Sequence, residues 1–163
     1  MLFLINTLTE RKRENLMLVD DLKTLLATEY AFVVKAQNFH WNVEGPDFGQ
    51  YHKFFGELYE EVYENSIDQT AEFVRILGSY TPGSFERFYE MSLIQGQTKI
   101  PRARLMMEEL LEDNETVIEL LNQTFASAEE ENRQGIADFV AGRIDAHGKH
   151  GWMLRSYLKE DRA

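Results

Sequence analysis

The distribution of prolines most constrains what this chain can fold into. Only three prolines occur in 163 residues, at positions 46, 82 and 101. Proline removes a backbone donor and clashes with the preceding turn, so the long stretches between these positions are free to form uninterrupted α-helices. No stretch shows the sustained apolar and polar alternation of a half-buried strand. The sequence therefore predicts an all-α protein.

Apolar residues recur at helical spacing in four long segments and in one short segment between the second and third. These predicted helices cover about residues 14–42, 48–77, 84–92, 101–128 and 134–159. Gly45 and Pro46 end the first, Gly78 ends the second, Ser84 suits the cap of the short helix, and Pro101 suits the first turn of the next. We predict one domain over residues 1–163, a four-helix bundle in which residues 1–13 form a short N-terminal extension.

The composition limits which metal sites and catalytic groups the chain can form. The chain has no cysteine, which excludes disulfides, thiolate metal sites and thiol catalysis. A tight metal site would have to use histidine, carboxylate or backbone oxygen. The start of the chain has neither a small-residue cleavage site nor the length to span a bilayer, so we predict a mature, soluble, cytoplasmic protein without membrane contact.

The net charge indicates which partners the chain can attract. Lys and Arg number 17 against 28 Asp and Glu, a formal net charge of -11. Such a chain repels phosphate backbones and attracts cations. The one basic cluster, Arg11 to Arg13, lies between Glu10 and Glu14, and its charge nearly cancels. Direct DNA binding is therefore disfavoured.

The candidate ligands are two histidines and two carboxylates. The chain lacks the Glu-x-x-His motif of di-iron sites inside bundles, which leaves His40, His52, Asp68 and Glu72. Asp68 and Glu72 are four residues apart, so both side chains can face one ion. His52 precedes Asp68 by sixteen residues, a separation of about 24 Å along a helix. The four residues can share an ion only if the second helix meets an antiparallel copy of itself across a two-fold axis.

A second histidine pair lies on the last predicted helix. His147 and His150 are three residues apart and precede Trp152. This spacing can bind a soft metal, but we favour a structural interpretation in which one histidine is in the core or an interface and the other is on the surface.

Five segments together resemble a known family. They read FHWNVEGPDFGQYHKFFGELYEEVYE, DQTAEFVRILG, PGSFERFYEMSLI, LLEDNETVIELL and GIADFVAGRIDAHGKHGWMLRSYL. Over about residues 17–158 the chain is similar to the Dps family, the ferritin-like DNA-protecting proteins of starved cells. The resemblance implies a ferritin-like four-helix bundle, with the short helix between the second and third helices, assembled as a hollow homo-dodecamer.

The resemblance also implies an activity and a site. In that family the ferroxidase centre lies between two subunits. His40 and His52 of one subunit would meet Asp68 and Glu72 of the two-fold-related subunit. Trp41 would lie beside this centre. The implied reaction is oxidation of Fe(II), usually by hydrogen peroxide and otherwise by oxygen, followed by storage of ferric mineral in the cavity. Iron is the only cofactor implied, and no organic cofactor is expected.

The chain departs from the family at the second helix. His52 and Asp68 are separated by one residue more than is usual there, which would rotate Asp68 and Glu72 by about 100° in a regular helix. We predict a π-bulge between residues 59 and 68, near residues 64–67, because single insertions are commonly absorbed in this way.

Two further departures concern metal binding and iron entry. Gly56 stands where the family often has another carboxylate, so either Glu57 or water replaces it or the second metal position is weak. Asp138 is the candidate pore residue of the last helix, but Arg133 and Gly142 replace two other acidic residues of the family pore. Residues 129–131, all glutamate, could supply the field instead.

Three functions compete. The first is a ferroxidase that stores iron and thereby protects DNA from oxidative damage. The second is a DNA-compacting structural protein of the same family with a weakened iron site. The third is a helical oligomer with neither activity. The presence of all four candidate ligands favours the ferroxidase.

Overall fold

The structure is a computed structural model that describes the backbone of residues 2–160 and the side chains of residues 17–160. Its elements are α1 (Leu2–Asn42), α2 (Phe48–Val62), a π-helical turn (Tyr63–Ile67, the π-turn), α3 (Asp68–Ile76), α4 (Phe85–Met91), α5 (Ala103–Glu130) and α6 (Gln134–Leu158). Residues 2–160 contain no strand. The four long segments pack as a bundle, so the all-α prediction with a short connecting helix is confirmed.

Glycines and caps end the helices largely where the sequence predicts. Gly45 after α1 and Gly78 after α3 have φ of +118° and +87°, in the left-handed region that glycine enters at little cost. The hydroxyl of Ser84 accepts a hydrogen bond from the Arg87 N–H at 3.3 Å and caps α4.

Two helix starts differ from the prediction. α1 begins at Leu2, and the expected start near residue 14 is wrong. Residues 2–13 contain neither proline nor glycine, so nothing in the sequence stops the helix from extending. α5 begins at Ala103 with Arg102 as its N-cap, which places Pro101 just before the helix and not in its first turn.

The core forms around α1, which packs against α2 and α5, while α5 packs against α6. The largest fully buried side chains are Phe32, Phe39, Phe55, Leu18, Leu22, Leu25, Leu26, Leu58, Met106, Met107, Leu110 and Leu121. Burying this apolar surface is the main contribution to stability. None of the helices in the described residues is long and apolar enough to cross a membrane.

The predicted π-bulge is confirmed. The π-turn spans Tyr63–Ile67, inside the predicted range. α-helical geometry resumes at Asp68. Ser66 and Ile67 are buried, whereas Asp68 is exposed. The widened turn thus keeps α3 in a register that leaves the first candidate carboxylate on the surface.

Candidate metal centre

His40 and His52 form one compact unit. His40 lies in the last turn of α1, and His52 lies in the second turn of α2. The five-residue connection reverses the chain at Gly45 and brings the imidazoles into a stack, with ring centroids 3.9 Å apart and planes 15° apart. The predicted proximity of the two histidines is present within a single chain.

Reciprocal hydrogen bonds fix the orientation of both rings. His40 Nδ1 donates to the backbone carbonyl of His52 at 2.6 Å, and His52 Nδ1 donates to the carbonyl of His40 at 2.7 Å. A carbonyl oxygen only accepts, so both Nδ1 atoms carry the proton. In neutral rings this leaves the Nε2 lone pairs available, and second contacts of this kind typically orient histidines that bind metals.

Aromatic rings flank the histidine pair on both sides. Phe48 stacks on His52 with centroids 5.1 Å apart, and Tyr59 meets His40 edge-on with centroids 5.5 Å apart. The four rings form a continuous pile in which both imidazoles are half-buried. The pile restricts rotation of both imidazole rings.

Gly56 supplies the space for the His40 ring. A Cβ atom at this position would lie 3.0 Å from both Cε1 and Nδ1 of His40. The space beside Gly56, where the resemblance implies a carboxylate, is therefore filled by the His40 imidazole. Glu57 is exposed and pairs with Lys53, so its contacts give no support to a role as the substitute ligand.

We predict that Gly56→Ala weakens iron binding even though alanine favours a helix. The added methyl group would push the His40 ring away from its stack and from the His52 carbonyl. Loss of such an orienting contact typically reduces metal affinity by about tenfold or more. Anaerobic titration with Fe(II) measures this effect, and Gly49→Ala is the control because nothing lies within 4 Å of its added Cβ. Equal affinity in the Gly56 variant would show that His40 can move freely.

Asp68 and Glu72 lie away from the histidines of their own chain. Both are exposed on α3, beyond the π-turn. Within the described residues, no group of three or more histidine, aspartate, glutamate or cysteine side chains is placed to hold a metal ion. The histidine pair and the carboxylate pair thus lie apart in one chain, where each is called a half-site below, and the roles of all four residues as ligands stay a prediction.

The other two candidate residues are also on the surface. Trp41 follows His40 and is 65% exposed. Asp138 is exposed on the first turns of α6, far along the chain from the histidine pair. Their predicted roles beside the centre and at a pore stay predictions.

A buried polar network crosses the bundle between α2 and α6. Arg143 donates to both carboxylate oxygens of Glu61, at 2.6 and 3.0 Å, and His150 Nε2 donates to Glu61 at 2.6 Å. Burial opposes ionisation of Glu61, but these hydrogen bonds prevail and hold its pKa below the ordinary range. Both His147 and His150 are buried, so the prediction that one of them lies on the surface is wrong.

A second set of buried polar contacts joins α1 to the π-turn and α5 to α6. The Ser66 hydroxyl lies 2.8 Å from each carboxylate oxygen of Glu29, which is fully buried. Burial raises the pKa of Glu29 to about 7. His147 bonds to the Asn114 side-chain oxygen at 2.8 Å, and burial lowers its pKa well below the ordinary value.

Sequence reasoning did not single out Glu29 or Glu61, although one signal was present. Glu29 and His147 fall within the apolar periodicity of their helices, which marks them as inward-facing. The pairing of Glu61 with α6 carries no such local mark, because it depends on how two distant helices pack. The packing also places Arg143 in the bundle interior as the cation that balances Glu61.

The chain is similar to known proteins over most of its length. Residues 19–163 match the ferritin family, described as a ferritin-like domain. A low-temperature-induced protein of Nostoc sp. is 36% identical over 93% of this chain and 84% of its own length. DNA protection during starvation protein 2 of Bacillus anthracis is 30% identical over 90% of this chain and 99% of its own length.

Structural similarity leads to the same family. The crystal structure of Dps from Staphylococcus aureus superposes with a TM-score of 0.84 at 30% identity, covering 88% of this chain and 96% of that one. The sequence and the fold thus indicate the same family. The chain belongs to the Dps family of ferritin-like proteins.

Proposed function

We propose that this protein is a ferroxidase and iron-storage protein of the Dps type. It oxidises Fe(II), with hydrogen peroxide or oxygen as the oxidant, at sites shared by two-fold-related subunits and stores ferric mineral inside a hollow homo-dodecamer in the cytoplasm. The observation that carries the proposal is the locked histidine pair, whose Nδ1 protons are fixed by backbone carbonyls. It supports a site preorganised to bind a cation through Nε2.

The positions of the half-sites favour a shared centre. His52 and Asp68 lie near opposite ends of the segment formed by α2, the π-turn and α3. Two such segments running antiparallel across a two-fold axis would bring the start of each beside the carboxylates of the other. The histidines and carboxylates would then meet twice, once on each side of the axis.

An apolar groove beside the π-turn supports this contact between copies. The groove, about 230 Å³, lies between α1 and α4 and is lined in part by Tyr30, Val34, Phe85 and Tyr89. Phe85 and Tyr89 are 81% and 84% exposed. The Tyr30 ring meets the Tyr63 ring of the π-turn edge-on, with centroids 6.4 Å apart, so the groove adjoins the π-turn that precedes Asp68. Exposed apolar surface of this kind marks an interface.

The donor set suits iron in both oxidation states. Imidazole nitrogen retains Fe(II), and carboxylate oxygen favours Fe(III). Two Fe(II) ions each give one electron to hydrogen peroxide, its O–O bond breaks, and two protons complete two water molecules. With Gly56 in place of a carboxylate, we expect one better-occupied iron position and one poorer one.

Protection of DNA would follow from removal of iron and peroxide. A net charge of -11 opposes direct contact with a phosphate backbone. The alternative, a DNA-compacting protein with a weakened iron site, finds less support because the histidine pair is ordered and its Nε2 atoms are not used by the two fixing hydrogen bonds.

The experiment that tests the proposal mixes two inactive variants. We expect shells made only of His40→Ala subunits, or only of Asp68→Ala subunits, to lose the rapid rise in ferric absorbance after Fe(II) and peroxide are added. Shells reassembled from an equal mixture should regain activity. Each dimer of one His40→Ala subunit and one Asp68→Ala subunit has two sites, one that lacks both residues and one that keeps both.

The control is a shell in which both substitutions are on the same chain, mixed with His40→Ala subunits. No subunit in this mixture has His40, so no site with both His40 and Asp68 can form. Recovery here, or failure of the first mixture to recover, would contradict a centre shared between subunits. Size-exclusion chromatography of each mixture verifies that the shells have formed.

A further inference from the structure

The π-turn is held to α1 by one buried hydrogen-bonded pair. The Ser66 hydroxyl is 2.8 Å from both Oε1 and Oε2 of Glu29. Ser66 is 1% exposed and Glu29 is 0% exposed. The same hydroxyl lies 3.5 Å from Oγ1 of Thr70, one turn further on. The contact joins residues 37 positions apart in the sequence.

Ser66 and the candidate ligands lie on opposite faces. Ser66 and Thr70 are buried against α1, whereas Asp68 and Glu72 are exposed. Residues two positions apart on a helix point about 200° from one another, so the burial of Ser66 requires that Asp68 points outward. Whatever holds Ser66 inward therefore also sets the direction of both carboxylates.

The π-turn contains one residue more than a regular α-helical turn, and this makes another register available. A single-residue bulge can in principle lie elsewhere along the same helical segment, and moving it beyond Glu72 would rotate the intervening residues by about 100°. Ile67 and Ala71 would then occupy the places of Asp68 and Glu72, and Asn65 would face Glu29. The shared centre would present apolar side chains where it needs oxygen ligands.

We propose that Ser66 and Glu29 are positioning residues that select the register in which Asp68 and Glu72 reach the partner subunit. The inference rests on the proposed ferroxidase function and assigns a new role to a pair outside the centre. Glu29 lies on α1 together with His40, eleven residues earlier. One rigid helix thus carries the histidine of one centre and fixes the carboxylates delivered to the other.

The test compares cobalt(II) binding by purified shells, read from the d–d absorbance of the bound ion. Ser66→Ala should weaken binding by about tenfold or more, since supporting contacts around metal ligands commonly have effects of this size. Ser66→Thr keeps the hydroxyl and should bind as the unaltered protein does. His40→Ala and Asp68→Ala define the signal of the shared centre.

Ser127→Ala is the matched control. Ser127 is also buried and donates to a carboxylate of α1, that of Asp21, at 2.6 Å, but it lies on α5 away from the centre. Both variants should lower the melting temperature of the shell, and only Ser66→Ala should change cobalt affinity. Equal affinity in Ser66→Ala and Ser127→Ala would overturn the inference while leaving the proposed function intact.

A rescue experiment tests register directly. Deleting Asn65, which is exposed within the π-turn, removes the extra residue and leaves the segment with a single register. Ser66→Ala combined with this deletion should recover cobalt affinity, and failure to recover would overturn the inference.

If the unaltered protein binds no cobalt at the shared centre, the proposed function fails. The crystal structure of Ser66→Ala then decides: a displaced π-turn supports the inference, and an unmoved one overturns it.

Discussion

Arg143→Met is expected to lower the free energy of unfolding by about 3 kcal/mol, because it leaves the Glu61 carboxylate partly buried without its main counter-charge. Arg143 is 5% exposed and makes two hydrogen bonds to Glu61. Methionine fills a similar volume, so the loss reports the missing charge more than a cavity. Urea unfolding at one fixed subunit concentration measures the effect, since oligomer stability depends on concentration.

Two comparisons isolate the cause. Arg155→Met removes an exposed ion pair with Glu115 and should change stability by less than about 0.5 kcal/mol. The double variant Glu61→Leu with Arg143→Met removes both charges and should be more stable than Arg143→Met alone. A double variant less stable than Arg143→Met would mean that packing, and not the unpaired carboxylate, explains the loss.

Glu29→Gln is expected to remove a large part of the pH dependence of stability. Burial raises the pKa of Glu29 to about 7 from an ordinary value of 4.5; Ser66 and Arg143 oppose the shift, while Glu61 adds to it. Between these values the folded state holds a proton that the unfolded state has lost, so stability falls as the pH rises. From pH 5 to pH 8 this group alone should cost about 2.5 kcal/mol.

Glutamine is neutral throughout, so the variant should gain stability relative to the unaltered protein as the pH rises. Denaturant unfolding at intervals from pH 5 to pH 8 measures the difference, in which the contributions of other titrating groups cancel. Glu64→Gln, an exposed residue of the π-turn, is the control and should give a curve parallel to that of the unaltered protein. A parallel curve for Glu29→Gln would show that Glu29 is ionised across this range.

Much of the fold was predictable because its signals are local. Apolar spacing and the positions of Pro46, Gly78 and Ser84 located most helix ends, since each acts through the backbone of its own turn. The π-turn was also predictable, because an inserted residue between two constrained helical ends has few ways to be accommodated. The start of α1 was missed because a sequence without helix breakers carries no mark of where a helix begins.

Some features of the candidate site were likewise predictable from the sequence, and others were not. The sequence by itself determined which residue types are available to an ion and that His52 and Asp68 are too far apart to share it within one chain. Only the tertiary structure decided that the imidazoles lock each other through backbone carbonyls, that Gly56 makes room for His40, and that His150 is buried against Glu61. These contacts join separate helices, so their geometry comes from helix packing, which no local pattern encodes.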